Sequence, residues 1–197
     1  MIWAVILAAG KSERMGSAKL LLPVGKRALI ETVVRGVLNA RPDGVLVVLG
    51  SDRNKLEPVI RNYPVRTVFN PNFARGMLSS VKCGFEAVPP EARAVLVYLG
   101  DQPAPPASVG GRIIDAFRKT GKGIILPAYR GRRGHPVLVD LKYRDEVAKL
   151  DPNVGLRQLL SAHPDDVLEV KVRTAAVLKD IDTPEDYRAL LRPKDRG

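Results

Sequence analysis

The residues best suited to chemistry begin in "ILAAGKSERMGSAKLLLPVGKRALIE", residues 6–31, where an apolar run gives way to Gly10, Ser12, Arg14, Gly16 and Lys19. Two glycines let backbone N–H groups approach an anion, and Arg14 and Lys19 supply fixed positive charge beside it. The spacing is not that of the common phosphate loop: five residues separate Gly10 from Gly16, and the next lysine is Lys19, not residue 17. A solvated Gly-containing loop is the plain alternative.

Carboxylates supply a second chemistry. Asp101 ends an apolar run in "YLGDQP", where a carboxylate serves either as a turn or capping residue or as a ligand for Mg²⁺. Hard Mg²⁺ takes one or two protein carboxylates and fills its remaining positions with water and phosphate oxygens. The partner expected in the second half is Asp180 or Asp182 of "LKDIDTPEDY", which face the same side of an extended segment. Capping of a final helix by Asp182 or Thr183 competes with that role. His135 lies in "YRGRRGHP" beside Arg130, Arg132 and Arg133, either in a surface turn or in an anion- or ring-binding loop. With His163 as the only other histidine, a histidine zinc site is not expected. Cys83 reads as a packing residue.

These groups need a scaffold that brings them to one edge. Short Val-, Ile- and Leu-rich runs at 2–8, 45–50, 65–70 and 94–101, the first breaking at Gly10 and the others ending in Gly50, Asn70 and Asp101, have the pattern of buried parallel strands. Between them, Leu29, Ile30, Val33, Val34, Val37 and Leu38 form one helical stripe, Leu56, Val59 and Ile60 another, and Val81, Phe85 and Val88 a third. Alternation of strand and helix predicts an α/β fold, an open and mostly parallel sheet with helices on both faces. Its ligand site is expected beyond the carboxyl ends of the strands. Farther on, the spacing predicts a helix from about 106 to 119, a strand in "GIILP" with "HPVLVD" antiparallel to it, a helical stretch near 154–161, a strand near 166–172, and a last helix opening at Thr183-Pro184-Glu185. One domain over residues 1–192 is expected, with 193–197 a frayed tail.

Composition narrows the partners. A net charge of +11 admits nucleic acid, a membrane surface or small anions. The charge is uneven: from Ala116 to Val139 there are six Lys or Arg and no Asp or Glu. Aromatic residues are 5%, and the two in this run, Phe117 and Tyr129, do not alternate with its basic residues as stacking platforms would, so nucleic acid is not expected. No stretch reaches the roughly 18 apolar residues of a membrane span. The single cysteine suits the cytoplasm and argues against a thiolate metal cluster.

The residues also carry a resemblance. "LAAGKSERMGSAKLLL", residues 7–22, resembles the LAxGxSxRMGxxKxL signature of the nucleotidyltransferases related to the molybdenum-cofactor enzymes. "LGDQP" stands where that family has its metal-binding Asp, "DIDTPEDY" matches its C-terminal motif, and "GMLSSV" and "GHPVL" follow in matching order, so the likeness covers nearly the whole chain. Ala9, where guanylyltransferases usually carry a second glycine, and "GHP" resemble the cytidylyltransferases of the family.

The resemblance implies a three-layer α/β/α sandwich with a Rossmann-like sheet and Mg²⁺-dependent transfer of CMP from CTP to the phosphate of a molybdopterin-type cofactor. Ala8, Ala9, Gly10, Ser12, Arg14, Gly16 and Lys19 would wrap the nucleotide, and Asn70, Gly76 and Ser79 would complete its pocket. Arg14, Lys19 and Asp101 would be catalytic, with Mg²⁺ on Asp101 and on Asp180 or Asp182. Arg132, Arg133 and His135 would receive the pterin phosphate, and a recipient molybdoenzyme is a further expected partner. The rivals are a guanylyltransferase or sugar-phosphate nucleotidyltransferase of the same fold, and a non-catalytic nucleotide-dependent molybdoenzyme chaperone.

Overall fold

The computed structural model describes residues 1–10 and 18–191. Its centre is β1 (Ile2–Ala8), apolar throughout because both faces are covered. Alternate residues go to opposite layers: Ile2, Ala4, Ile6 and Ala8 to one core, Trp3 and Val5 to the other. A short hairpin follows, β2 (Pro23–Val24) and β3 (Arg27–Ala28), and leads into α1 (Leu29–Asn39). Glu31 begins that helix by accepting the Ala28 N–H at 2.8 Å.

The chain continues as β4 (Gly44–Leu49), α2 (Arg53–Ile60), β5 (Arg66–Phe69), α3 (Met77–Ala87) and β6 (Ala94–Leu99). It then forms α4 (Ala107–Thr120), β7 (Ile124–Tyr129), β8 (Arg132–Arg133), β9 (Val137–Asp140), α5 (Arg144–Lys149), α6 (Leu156–Ala162), β10 (Val167–Lys171) and α7 (Pro184–Leu191). The sheet order is β10-β7-β9-β6-β1-β4-β5, with β8 paired to β7. The β1 pairings with β4 and β6, β4 with β5, and β10 with β7 are parallel; β9 runs antiparallel to both β6 and β7.

Helices α1, α2 and α4 bury Val33, Ile60 and Ile113 against one face, and α3, α5 and α6 bury Phe85, Val147 and Leu159 against the other. Each such side chain taken fully from water stabilises the fold by about 1.5–3 kcal/mol. This is the expected three-layer α/β/α arrangement. Two expectations need correction. The strand at 66–69 is not buried: Arg66, Thr67 and Phe69 are exposed, because β5 is the sheet's edge. Helix α5 also appears where no helix is expected, since its six residues bury only Val147.

Beyond β4 and β5 the chain turns back to lay β6 on the other side of β1, so the carboxyl ends of β1 and β6 flank a topological switch point. Open α/β sheets bind ligands in such a crevice. Among the described residues no helix is long and apolar enough to cross a membrane. The expected tail at 193–197 lies outside the described residues.

Candidate active site

Glycines let the strand ends at the switch point approach closely. A Cβ on Gly50, just after β4, would come within 2.3 Å of the Ala9 carbonyl oxygen, and one on Gly100, just after β6, within 2.6 Å of that of Leu7. The Gly100 N–H donates to the Leu7 carbonyl at 2.9 Å, which holds the β6 exit beside the end of β1. Ala8 and Ala9 are buried here, and the Gly10 carbonyl accepts from the Ser51 hydroxyl at 3.1 Å.

Across this crevice Lys19 Nζ lies 2.7 Å from Asp101 Oδ2 and 3.3 Å from Asp182 Oδ1. Lys19 is 8% exposed, so its ammonium sits within the rim with the two carboxylates instead of in bulk water. Local folding fixes both acids. The Asp101 carbonyl accepts the Ile181 N–H at 3.0 Å, which pins the 180–182 segment beside the β6 exit. Asp186 Oδ2 accepts the Asp182 and Thr183 N–H groups at 3.1 and 2.9 Å, and Thr183 Oγ1 caps the Asp186 N–H at 3.2 Å. The Thr183 hydroxyl, donating to Asp186 Oδ2 at 2.8 Å, and then the Thr183 and Asp182 N–H groups hold the Asp186 carboxyl below the ordinary carboxylate range. Thr183 therefore caps α7 as expected, and Asp182 is left to face Lys19.

Asp180 behaves differently from Asp182. Its Oδ1 is 3.4 Å from Gln102 Nε2. Partial desolvation first, then the charges of Asp101 and Asp182, raise its carboxyl above the usual range, with Lys19 opposing. His135 joins this rim through its N–H, which donates to the Val177 carbonyl at 2.9 Å. Burial lowers the His135 imidazole below its ordinary value, and the Asp101 carboxylate acts in the opposite direction.

A second set of residues gathers where β5 ends. Asn70 donates through Nδ2 to Ser79 Oγ at 2.9 Å and to Ser80 Oγ at 3.1 Å, and the Ser79 hydroxyl donates to the Gly76 carbonyl at 2.8 Å. Gly76 has φ +92 and precedes α3, a conformation open to glycine and strained for other residues. The Asn70 N–H donates to Leu49 O at 2.9 Å, and Leu49 is in register with Ala8. Asn70, Gly76 and Ser79 are thus one hydrogen-bonded unit on the same sheet edge as Ala8 and Ala9.

The basic hairpin is split. Arg133 Nε pairs with Glu169 Oε1 at 2.8 Å on the edge strand, and the adjacent Arg132 points to the opposite face of β8. Ser12, Arg14 and Gly16 lie outside the described residues. Cys83 is half-buried, and desolvation, then Glu86, raises its thiol, which is no nucleophile's environment. His163 pairs with Glu146 at 2.8 Å and not with His135. Among the described residues no group of three or more His, Cys, Asp or Glu is placed to hold a metal. The oxygen donors of Asp101 and Asp182, already sharing one cation, fit a hard divalent ion that draws its other ligands from water and phosphate.

Gln102 and Ser80 were not anticipated. The buried polar side chains among the described residues are Lys19, Asn70, Ser80 and Gln102, all at this edge. For Gln102 the available signal was its place beside Asp101, three residues after the fully apolar "AVLVYL".

The mostly parallel sheet, covered on both faces, carries a lysine and paired carboxylates at its switch point, the place where open α/β sheets bind their ligands. The chain belongs to the MobA-like NTP transferase domain family, whose model matches residues 4–167, and it is a nucleotidyltransferase by that membership. It is 32% identical to the molybdenum cofactor cytidylyltransferase of Escherichia coli K12 over 93% of this chain and 92% of that one. It is also 31% identical to the nicotine blue oxidoreductase of Paenarthrobacter nicotinovorans over 96% of each chain. The crystal structure of Rv0371c from Mycobacterium tuberculosis H37Rv superposes with a TM-score of 0.87 at 28% identity, covering 96% of both chains. That protein in complex with manganese gives a TM-score of 0.82 at 27% identity, covering 96% of this chain and 97% of the other.

Proposed function

We propose that the protein transfers CMP from CTP to the terminal phosphate of a molybdopterin-type cofactor and releases pyrophosphate. The observation that carries this reading is the Lys19 ammonium shared by Asp101 and Asp182 at the switch point. The likeness to a molybdenum cofactor cytidylyltransferase over nearly the full length of both chains supports the choice of substrates.

In this reading the base and ribose rest on Ala8, Ala9 and Gly10 and against the unit formed by Asn70, Gly76 and Ser79. Ser12, Arg14, Gly16 and Lys19 receive the triphosphate. An oxygen of the pterin phosphate attacks the α-phosphorus; a P–O–P bond forms, the bond to the β-phosphate bridging oxygen breaks, and pyrophosphate leaves. The phosphate nucleophile is already ionised, so the chain's task is alignment and charge neutralisation. Lys19 and Arg14 offset charge growing on the α-phosphate and leaving group. Asp101 and Asp182 would hold a divalent ion, assigned to Mg²⁺, and the manganese complex of Rv0371c supports a divalent ion on this scaffold. When bound, such an ion neutralises phosphate charge and polarises the phosphoryl group. His135 and Arg132 border the acceptor side, with Arg133 reaching it on leaving Glu169.

Pyrophosphate release with the pterin cofactor, each of CTP, GTP, ATP and UTP, and Mg²⁺ tests the reading. The oxidoreductase relative favours a second one, a redox reaction on the same scaffold. Substrate oxidation or reduction with no pyrophosphate formed would select it. A sugar phosphate outcompeting the pterin would change the acceptor and keep the chemistry.

A further inference from the structure

We infer that Gln102 is a positioning residue that sets the Asp101–Asp182 carboxylate pair by tying the β6 exit to segment 177–182. The inference rests on the proposed binding of a divalent ion by that pair.

Gln102 is 3% exposed, although it follows Asp101 at the rim of the sheet. Its Nε2 reaches two acceptors on the same segment, the Val177 carbonyl at 3.2 Å and Asp180 Oδ1 at 3.4 Å. The Val177 carbonyl also accepts the His135 N–H, so one peptide oxygen joins the β6 exit, the segment carrying Asp180 and Asp182, and the turn carrying His135. Gly134 permits this approach: a Cβ there would lie 2.2 Å from the same oxygen.

Electrostatics explain why the group is an amide. Asp180 Oδ1 faces the Gln102 amide on the same rim as the Asp101 and Asp182 carboxylates that Lys19 bridges, so three acidic groups crowd together there. A neutral donor can engage Asp180 without adding a fourth negative charge. It also adds no second cation to compete with Lys19 for Asp101 and Asp182. Backbone bonding alone fixes Ile181, through its N–H to the Asp101 carbonyl. The Gln102 amide fixes two residues before Ile181, at 177 and 180, and so sets the rotation of the segment that aims Asp182 at Lys19. Groups that orient metal-binding carboxylates in this way change metal affinity by about 10–100-fold when removed.

The test measures Mn²⁺ binding by electron paramagnetic resonance, without nucleotide, for the wild type, Gln102→Met and Gln102→Asn, with thermal unfolding of each in parallel. Met keeps the length without a donor; Asn keeps the amide but is one methylene shorter and serves if the Met variant does not fold. The expected result is Mn²⁺ binding to the wild type and affinity weaker by about tenfold or more in Gln102→Met, with a smaller loss in Gln102→Asn. A folded variant that binds Mn²⁺ as the wild type does, even with a lowered melting temperature, overturns the positioning role and leaves the ion site standing. Absence of Mn²⁺ binding to the wild type overturns both the ion site and this role.

Discussion

Lys19 Nζ and Asp101 Oδ2 meet at 2.7 Å across 82 residues of sequence, and Asp182 joins them from a further 81 residues on. Strand order brings the three together: the chain leaves β1 toward Lys19, returns as β6 to place Asp101, and closes with α7 to place Asp182. Lys19→Met should lower kcat by about 10²–10³-fold, the loss typical of one preorganised charge-stabilising donor. Steady-state pyrophosphate release measures it. A variant within twofold of wild type would remove Lys19 from the chemistry.

Gly76→Ala acts through the backbone alone, because a Cβ there meets nothing within 4 Å while φ is +92. Strain of about 1–3 kcal/mol is expected. Its release shifts the start of α3, loosening the hold of Asn70 on Ser79. The KM for nucleotide should therefore rise several-fold while the melting temperature falls; an unchanged KM in a folded variant argues against this unit lining the nucleoside pocket.

Ala9 is buried against Gly50, and its Cβ would lie 2.8 Å from a Cβ built on that glycine. Ala9→Gly opens space at this contact. It should reduce the preference for CTP over GTP, read as the ratio of kcat/KM values. A ratio equal to wild type would remove the basis for assigning the base from this position.

At the far end of the sheet, Asp166 accepts from Tyr143 at 2.6 Å and pairs with Lys142 at 2.7 Å. Burial acts to raise its carboxyl, but hydrogen bonds from Lys142, Tyr143 and the Gly123 backbone outweigh it and hold the group at about 2, below its ordinary 3.8. A folded-state value below the unfolded one stabilises the protein above about pH 4, and that stability disappears as pH falls through 4 toward 2. Asp166→Asn should lower the melting temperature by about 2–4 °C at neutral pH. The gap from wild type should close as the pH approaches 2 in thermal melts; a gap that stays constant contradicts the linkage.

The sequence made the centre of the fold legible because β1, β4 and β6 are apolar on both faces, a pattern that burial alone explains. The antiparallel pairing of "GIILP" with "HPVLVD" was also readable, as β7 with β9. That β9 also pairs with β6 was not, since strand insertion is decided by contacts far apart in sequence. Position along a strand does not report whether it is an edge, which is why Phe69 was expected inside and lies 41% exposed. At the site, Lys19 was visible in the loop after the first strand, Asp101 at the end of β6, and the 180–182 pair in the segment before the last helix. The distinction between Asp180 and Asp182 was not, because it depends on Gln102 and on Thr183–Asp186 capping, which are set by tertiary placement. Likewise, Arg133 reads as part of one basic loop until Glu169 of β10 is found beside it.

The most direct test of the account is pyrophosphate release by the purified protein supplied with pterin cofactor, Mg²⁺ and each nucleoside triphosphate in turn. The account predicts release that requires the pterin, is fastest with CTP, and is lost in Asp101→Ala. Absence of pyrophosphate with every nucleotide would contradict it.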